Sequence, residues 1–184
     1  MPVRRLNHAV LYVRDAEVTA AFYERNLGFE RVGMGAPGGV FMRAPGGVFM
    51  RAPASTNDHD VAFFGIGAGA GPSLAGRSTV GLYHLAWEVQ TLDELSELAQ
   101  RLRSEGALVG ASDHGTTKSL YARDPDGIEF EVAWIVPAAL LDDAAYDARN
   151  RIGRLDLERE KQRYGATTLG GIGISEPAGA PGPA

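Results

Sequence analysis

The chain contains no cysteine among its 184 residues, which excludes disulfide bonds, thiolate metal sites and a cysteine nucleophile. This composition suits a reducing compartment, and we expect a cytoplasmic protein. The chain also lacks an apolar run long enough to cross a bilayer, and its first residues lead into a strand pattern without the apolar segment of a signal peptide. We therefore predict no membrane association.

Lysine is scarce, since Lys118 and Lys161 are the only two in the chain, and the net charge is −5. The chain therefore has no polybasic segment and no electrostatic attraction for nucleic acid or an anionic membrane. Hydrophobic residues make up 45% of the chain and charged residues 22%, as in ordinary globular proteins. A length of 184 residues predicts one domain with a substantial core, or two small fused units.

The first half of the chain opens with the pattern of a strand, a helix and a second strand. Residues 3–13 are rich in alternating β-branched and aromatic side chains and predict a strand that carries His8. A helix is predicted between Asp15, which caps its start, and Gly28, which ends it. A second strand is predicted at about 29–34.

A short segment then occurs twice in succession, because Ala36–Arg43 and Ala44–Arg51 have the same sequence. The repeat offset is even, so either copy can supply the third strand with the same residues facing inward. We expect one copy in the sheet and the other extended or looped out at its edge. His59–Phe64 predicts the fourth strand, with His59 and Phe63 on one face.

The same order of elements returns in the second half. The predictions are a Gly- and Ala-rich linker at 65–76, a strand at 81–89, a helix at 92–103, a strand at about 107–110 and two strands flanking the turn Asp124–Gly127. Because Asp-Pro-Asp-Gly favours a tight reversal, Tyr121 and Glu131 are expected on adjacent antiparallel strands. Alternation places Glu129 and Glu131 on the face opposite Phe130.

This internal repeat predicts the fold. A histidine lies near the start of the first strand in each half, His8 in one and His84 in the other. We predict an α+β fold in which two βαβββ modules, at about 3–66 and 78–136, form a cupped mixed sheet around a metal cleft. Both histidines would then face into the cleft.

The remainder of the chain differs in composition from the predicted domain at 1–136. Residues 137–164 predict a polar helical extension, which covers either the cleft or a partner subunit. Residues 165–184 are rich in Gly, Pro and Ala and predict a disordered tail.

His8, His84 and Glu131 together have the composition of a site with two histidines and one carboxylate. Such a site leaves coordination positions open for substrate and dioxygen on Fe(II). Taken singly, each histidine is as readily interpreted as a capped or core imidazole as it is as a metal ligand. Glu131 alone is as readily interpreted as a surface ion-pair partner. The matching positions of His8 and His84 in the two halves favour the metal site.

The chain resembles the vicinal oxygen chelate superfamily, which includes glyoxalase I, bleomycin-binding proteins, fosfomycin-modifying enzymes and extradiol catechol dioxygenases. The resemblance covers roughly residues 3–136, and its most specific part is Ser119–Glu131, which is similar to the extradiol branch. Three further segments are similar to strands of that branch: Asn7–Val13, His59–Phe63 and His84–Val89.

The resemblance implies an extradiol ring-cleaving dioxygenase that acts on a small aromatic diol and O2. Its Fe(II), with Mn(II) as a possible substitute, would be bound by His8, His84 and Glu131. His59 would act as acid or base beside the oxygen site, and Tyr121 would hydrogen-bond a substrate oxygen. His114 is either a shifted equivalent of a further catalytic histidine or a turn residue that bonds backbone. Relatives of this size imply a homodimer or higher homo-oligomer.

Two alternatives remain at the level of sequence. One is another metal-dependent member, such as a glyoxalase-like isomerase or epimerase, and the other is a metal-free protein that binds small molecules. Glyoxalase-type members use a fourth protein ligand from the last strand of the first half. Aligning the halves places that position near Phe63, which cannot bind a metal, so the dioxygenase is favoured.

Overall fold

The computed structural model describes residues 2–3, 5–33, 47–76 and 78–171. The chain divides into two compact units. The first contains the residues up to Leu74 together with Asp124–Ile128, and the second contains Ala75–Arg123 and the residues from Glu129 onward. Each unit is built on the predicted βαβββ plan, so the α+β fold of two modules is confirmed.

The first unit consists of a four-stranded sheet and one helix. Its elements are β1 (Ala9–Val13), α1 (Ala16–Leu27), β2 (Glu30–Arg31), β3 (Gly47–Arg51) and β4 (Val61–Gly65). The strand order is β1-β4-β3-β2, in which β1 and β4 are parallel and the other pairs are antiparallel. The second copy of the repeated segment forms β3, and the first copy lies outside the described residues.

Helix α1 has the predicted ends because both caps are local. The Asp15 side chain accepts hydrogen bonds from the first turn, and Gly28 ends the helix with a φ of 71°. Phe22 and Tyr23 are buried, and the Tyr23 ring lies 4.8 Å from that of Phe63 on β4. Burying each such aromatic ring contributes about 2 kcal/mol. This contact holds the helix against one face of the sheet.

The first strand is shorter than predicted, because β1 begins at Ala9 and leaves His8 just before it. The Asn57 side chain donates to the Asn7 carbonyl oxygen at 2.9 Å, so a side chain binds the backbone there. Likewise β4 begins only at Val61, after His59. The predicted strand starts at residue 3 and at His59 are therefore wrong.

The second unit has a five-stranded sheet. Its elements are β5 (Leu85–Glu88), α2 (Leu92–Ser104), β6 (Leu108–Asp113), β7 (Thr117–Arg123), β8 (Glu129–Ile135), a 3-10 turn (Ala138–Leu140), α3 (Asp143–Ala148), β9 (Gly153–Arg154) and α4 (Leu157–Tyr164). The strand order is β5-β8-β7-β6-β9. Parallel pairing joins β5 to β8, and the other neighbours are antiparallel.

One face of this sheet packs on helices. Helix α2 starts with a capping box between Thr91 and Glu94. Its buried side chains are Leu92, Leu95, Leu98, Ala99 and Leu102. Trp134 of β8 is fully buried in the same core, with its ring 5.6 Å from that of Tyr164 on α4. The opposite face of β8 carries Glu129 and Glu131, as the alternation predicts.

The segment after β8 is part of the second unit. Besides the predicted helices it supplies β9, which pairs with β6 at Ser112 and Asp113 and was not predicted. Residues 165–171, expected to be disordered, make hydrogen bonds with the unit, such as that from the Gly170 amide to the Gln90 carbonyl. The rest of that tail, 172–184, lies outside the described residues. Across the described ranges, every helix is too short or too polar to pass through a membrane.

Candidate functional site

The first unit brings two predicted site residues together. The rings of His8 and His59 lie 4.5 Å apart between centroids. His8 is exposed, whereas His59 is buried, with 7% of its surface accessible. The His59 ring also meets the edge of Phe49 on β3, at a centroid distance of 5.1 Å. The two imidazoles therefore form one cluster just before strands β1 and β4.

Each of these histidines is oriented by the residue that precedes it. The His8 Nδ1 atom lies 2.7 Å from Asn7 Oδ1, and the His59 Nδ1 atom lies 3.1 Å from Asp58 Oδ2. An amide oxygen or ionised carboxylate only accepts hydrogen bonds, so the proton of each neutral ring lies on Nδ1. Nε2 is then the unprotonated nitrogen of each ring, as a metal ligand or a base requires.

The prediction that His59 and Phe63 lie on one face of the fourth strand is wrong. Phe63 is fully buried and packs on Tyr23 beneath the sheet. The His59 ring instead meets Phe49, whose ring is 6.0 Å from Phe64. Because His59 precedes the strand, the alternation that orients Phe63 does not extend to it.

In the second unit, His84 and Glu131 converge. His84 immediately precedes β5, and Glu131 lies on the adjacent β8, paired with Ala86. The His84 Nε2 atom is 3.1 Å from Glu131 Oε2, and their side chains are 25% and 13% exposed. The Tyr83 ring packs against the imidazole with centroids 4.6 Å apart. The His84 Nδ1 atom is buried and has no hydrogen-bond partner within the described ranges.

Tyr121 lies beside this pair, directly opposite Glu131 in the β7–β8 register, as predicted. Its ring centroid is 5.8 Å from that of His84. Burial, followed by the negative charge of Glu131, raises the pKa of the Tyr121 phenol above its ordinary value. The phenol therefore stays protonated at neutral pH and remains a hydrogen-bond donor.

The side chain of His114 contacts Tyr121, with 3.0 Å between Nε2 and the phenol oxygen. Its backbone also shapes the β6–β7 turn, since its amide donates to the Thr117 carbonyl at 2.9 Å. The interpretation of His114 as a turn residue that bonds backbone is confirmed, and the catalytic role stays a prediction. The backbone holds the turn, and the ring reaches the tyrosine.

The predicted metal ligands come from both units: His8 from the first, His84 and Glu131 from the second. Among the described residues, no group of three or more His, Cys, Asp or Glu side chains is placed to hold a metal ion, so the set of three ligands stays a prediction. The pair in the second unit nevertheless suits a metal. Two neighbouring ligands at about 2.1 Å from an octahedral ion lie about 3 Å apart, close to the distance between His84 Nε2 and Glu131 Oε2. An imidazole and a carboxylate are also the donors that non-haem iron uses.

Strand register identifies the residue of the first unit that corresponds to Glu131. In the second unit Glu131 pairs with Ala86, two residues after His84. In the first unit the residue two after His8 is Val10, and it pairs with Ala62. The position expected near Phe63 is therefore occupied by Ala62, whose methyl group cannot bind a metal either.

Sequence reasoning missed the residues that support this site. Asn7 and Asp58 orient His8 and His59, and the adjacency of each pair in sequence was an available signal. Tyr83 packs on His84 and also precedes it directly. A buried ion pair between Lys118 and Glu160 had no such signal, because the two residues are far apart in the chain.

The sequence model of the glyoxalase/bleomycin resistance protein/dioxygenase superfamily matches residues 5–132. The chain belongs to this superfamily. The match includes both βαβββ modules and ends within β8, before the 3-10 turn, α3, β9 and α4.

Two curated relatives carry dioxygenase names. The chain is 43% identical over 70 residues to biphenyl-2,3-diol 1,2-dioxygenase 3 of Rhodococcus globerulus, covering 38% of this chain and 36% of that protein. It is 39% identical over 59 residues to catechol-2,3-dioxygenase of Bacillus subtilis (strain 168), covering 32% of this chain and 21% of that protein. The chain thus matches about a third or less of these relatives' length.

Solved structures share the fold. A glyoxylase/bleomycin resistance protein/dioxygenase domain from Frankia sp. EAN1pec superposes with a TM-score of 0.57 at 22% identity, covering 72% of this chain and 92% of that chain. A glyoxalase/dioxygenase from Nostoc punctiforme superposes with a TM-score of 0.56 at 20% identity, covering 71% and 90%. At these identities the likeness concerns the fold alone.

Proposed function

We propose that this protein is an Fe(II)-dependent extradiol dioxygenase that cleaves the ring of a catechol-type substrate. One observation carries the proposal: on one face of the second unit, the His84–Glu131 pair lies beside the Tyr121–His114 pair. The first pair suits a metal ion and the second suits a hydroxylated substrate. The dioxygenase names of the two curated relatives support the same reaction class.

His8, His84 and Glu131 would hold the metal, with Mn(II) as a possible substitute. Bound iron supplies a centre at which an aromatic diol and O2 meet and react. Asn7 prepares His8 for this role, because its hydrogen bond to Nδ1 leaves Nε2 available to a metal.

Tyr121 would act on the substrate. Its protonated phenol donates a hydrogen bond to a substrate hydroxyl or to the oxygen left when that hydroxyl loses its proton. His114 Nε2 lies 3.0 Å from the phenol oxygen and fixes the direction of the phenol. It donates to the phenol oxygen when the phenol donates to the substrate, and it accepts the phenol's hydrogen bond when the phenol oxygen accepts from the substrate. The two side chains thus work as one donor–acceptor pair.

His59 would act as a general acid or base. Asp58 binds the Nδ1 side of the ring, which makes Nε2 the atom that takes up and returns a proton. Burial limits competition from water at this ring. His59 is therefore proposed as a catalytic residue and not as a ligand.

The alternative of a glyoxalase-like isomerase or epimerase is less well supported. Those enzymes would need a fourth protein ligand, and Ala62 occupies the register position that corresponds to Glu131. Three protein ligands instead leave positions for two oxygen-containing reactants.

The test is an oxygen-electrode screen of catechols with protein reconstituted with Fe(II) under argon. We expect about one iron per chain, O2 uptake that depends on both iron and catechol, and a yellow ring-opened product. Protein loaded with Zn(II) is the matched control, because it fills the site without supporting oxygen chemistry. Preference for zinc or nickel with no O2 uptake for any catechol would overturn the proposal and favour the isomerase or a binding protein.

A further inference from the structure

A fully buried cation lies in the second unit. Lys118, on β7, has no accessible side-chain surface, and its Nζ atom is 2.6 Å from Asp113 Oδ1 and 2.9 Å from Glu160 Oε2. Its ammonium also lies 5.5 Å from the centre of the Tyr164 ring. A buried ammonium is stable only when it is paired, and these two carboxylates supply the pairing. We name Asp113, Lys118 and Glu160 the buried ion cluster.

The buried ion cluster joins three elements that lie far apart in sequence. Asp113 ends β6, Lys118 is near the start of β7, and Glu160 belongs to α4. Glu160 is itself 2% exposed. The cluster therefore attaches α4, which follows the residues matched by the superfamily, to the hairpin that carries His114.

Asp113 transmits this attachment to the β6–β7 turn. The same Oδ1 atom that binds Lys118 accepts a hydrogen bond from the Gly115 amide at 2.8 Å. His114 lies between these two residues. Asp113 is thus held by the lysine on one side and holds the turn on the other.

The turn is also enclosed by α3. Gly115 has a φ of 75°, and a Cβ atom there would meet the Ala145 carbonyl oxygen and approach the Arg149 amide nitrogen to 2.9 Å. Only glycine fits this position without displacing the helix. Residues after β8 therefore contact the His114 turn in two places, by α3 at Gly115 and by α4 through the buried ion cluster.

We propose that the segment 137–164 positions the His114–Tyr121 pair, and that Lys118 is the positioning residue through which α4 does so. Lys118 and Tyr121 lie on the same strand and on opposite faces, so the lysine acts from the core while the tyrosine faces the site. The importance of this positioning for catalysis rests on the proposed function. The positioning itself does not.

The test compares the two lysines of the chain. Lys161 lies on α4 itself, and its Nζ atom pairs with Asp93 of α2 at 3.0 Å and with Glu158 of α4 at 3.7 Å. Lys118→Met removes the ammonium that pairs with Glu160 of α4. Lys161→Met removes an ammonium of α4 that pairs with Asp93. Each variant therefore removes one positive charge from an ion pair that involves α4. Full-length, metal-free protein with 13C-labelled histidine and tyrosine rings is compared by NMR, with His114→Gln and Tyr121→Phe used for assignment.

We expect Lys118→Met to move the ring signals of both His114 and Tyr121 and to speed amide exchange at Gly115 about tenfold. Lys161→Met should leave these signals in place. Glu160→Gln, which keeps the size of the side chain and an acceptor oxygen, should move the same signals less. If Lys118→Met fails to fold, Glu160→Gln decides the question.

Unchanged ring signals in folded Lys118→Met or, if that variant fails to fold, in Glu160→Gln would overturn the proposal. So would equal shifts in Lys161→Met, because the effect would then come from the docking of α4 in general. In iron-loaded protein we further expect kcat to fall about tenfold to a hundredfold in Lys118→Met. Ring signals that do not move in the deciding variant reject the positioning of His114 and Tyr121. Absence of O2 uptake in the unaltered protein rejects only the proposed function.

Discussion

The two units hold their histidines in different ways. In the first unit, His8 and His59 are bound by the residues immediately before them, Asn7 and Asp58, and neither histidine lies within a strand. In the second unit, His84 depends on Glu131 from a neighbouring strand. One unit thus orients its side chains by local sequence, and the other by the register of a sheet.

This difference separates two kinds of sensitivity. A change at Asn7 or Asp58 alters one imidazole and leaves the sheet intact. A change at Glu131 removes the only polar partner that the structure gives His84 within the described residues, since His84 Nδ1 has none. The second unit should therefore respond more strongly to single substitutions at the site, and the following predictions test that expectation.

The largest effect is expected for Glu131→Ala. Loss of this carboxylate removes a proposed ligand and frees His84, so iron content should fall from about one per chain to near zero. Glu129→Ala is the matched control, because Glu129 lies on the same face of β8 and pairs with Arg123 at 3.6 Å. Metal analysis after anaerobic reconstitution measures both. Full iron content in Glu131→Ala would exclude Glu131 as a ligand.

His59→Ala should retain iron and lose activity. Removal of a general acid or base lowers kcat by about 10²- to 10⁴-fold. Asp58→Asn keeps an acceptor for His59 Nδ1 and leaves the imidazole in place, so a smaller loss is expected. Steady-state O2 uptake measures the role of His59 as acid or base, and iron analysis shows whether it is a ligand. Release of iron from His59→Ala would show that His59 is a ligand.

Tyr121→Phe is expected to lower kcat by about ten- to a hundredfold, because it removes one hydrogen bond to the reacting oxygens. Iron content should not change. Tyr83→Phe provides the control, since Tyr83 is 68% exposed and the variant keeps the ring that packs on His84. Equal kcat in Tyr121→Phe and unaltered protein would remove Tyr121 from the mechanism.

The smallest effect is expected at the Asp124–Gly127 turn. This turn belongs to the first unit, although its flanking strands β7 and β8 belong to the second. Burial raises the pKa of the Asp124 carboxyl to about 6, against hydrogen bonds from the Ile128 and Asp126 amides that lower it. The folded protein therefore binds this proton more tightly than the unfolded chain, and the free energy of unfolding falls as pH rises from about 4 to about 6. The change is on the order of 2 kcal/mol.

Asp124→Asn should remove that slope. An amide oxygen still accepts from both backbone donors, but the side chain no longer ionises. Urea denaturation at intervals between pH 4 and 7 gives the free energy of unfolding of each protein. An identical decline with pH in the two proteins would contradict the assignment of the slope to Asp124.

The helices and the central hairpin could be predicted because their determinants are local. Asp15 and Gly28 set the ends of α1, and the Asp-Pro-Asp-Gly turn places Tyr121 opposite Glu131. The start of β1 could not be predicted, because a side chain from elsewhere in the unit, Asn57, bonds to the backbone just before it.

Contacts between distant residues were beyond prediction from the pattern alone. Strand β9 has two residues, too few to show a period, and it exists because β6 offers an unpaired edge at Ser112 and Asp113. The contact of His114 with Tyr121 depends on a turn enclosed by α3. Such features follow from tertiary packing, which the alternation of polar and apolar residues along the sequence does not predict.

The most direct measurement is the stoichiometry of O2 uptake and iron binding in unaltered protein and in His8→Ala, because His8 is the proposed ligand that comes from the first unit. We predict about one iron per chain and one O2 consumed for each catechol cleaved in the unaltered protein. His8→Ala should neither hold iron nor consume O2. Full iron content and undiminished O2 uptake in His8→Ala would contradict the proposed set of three ligands.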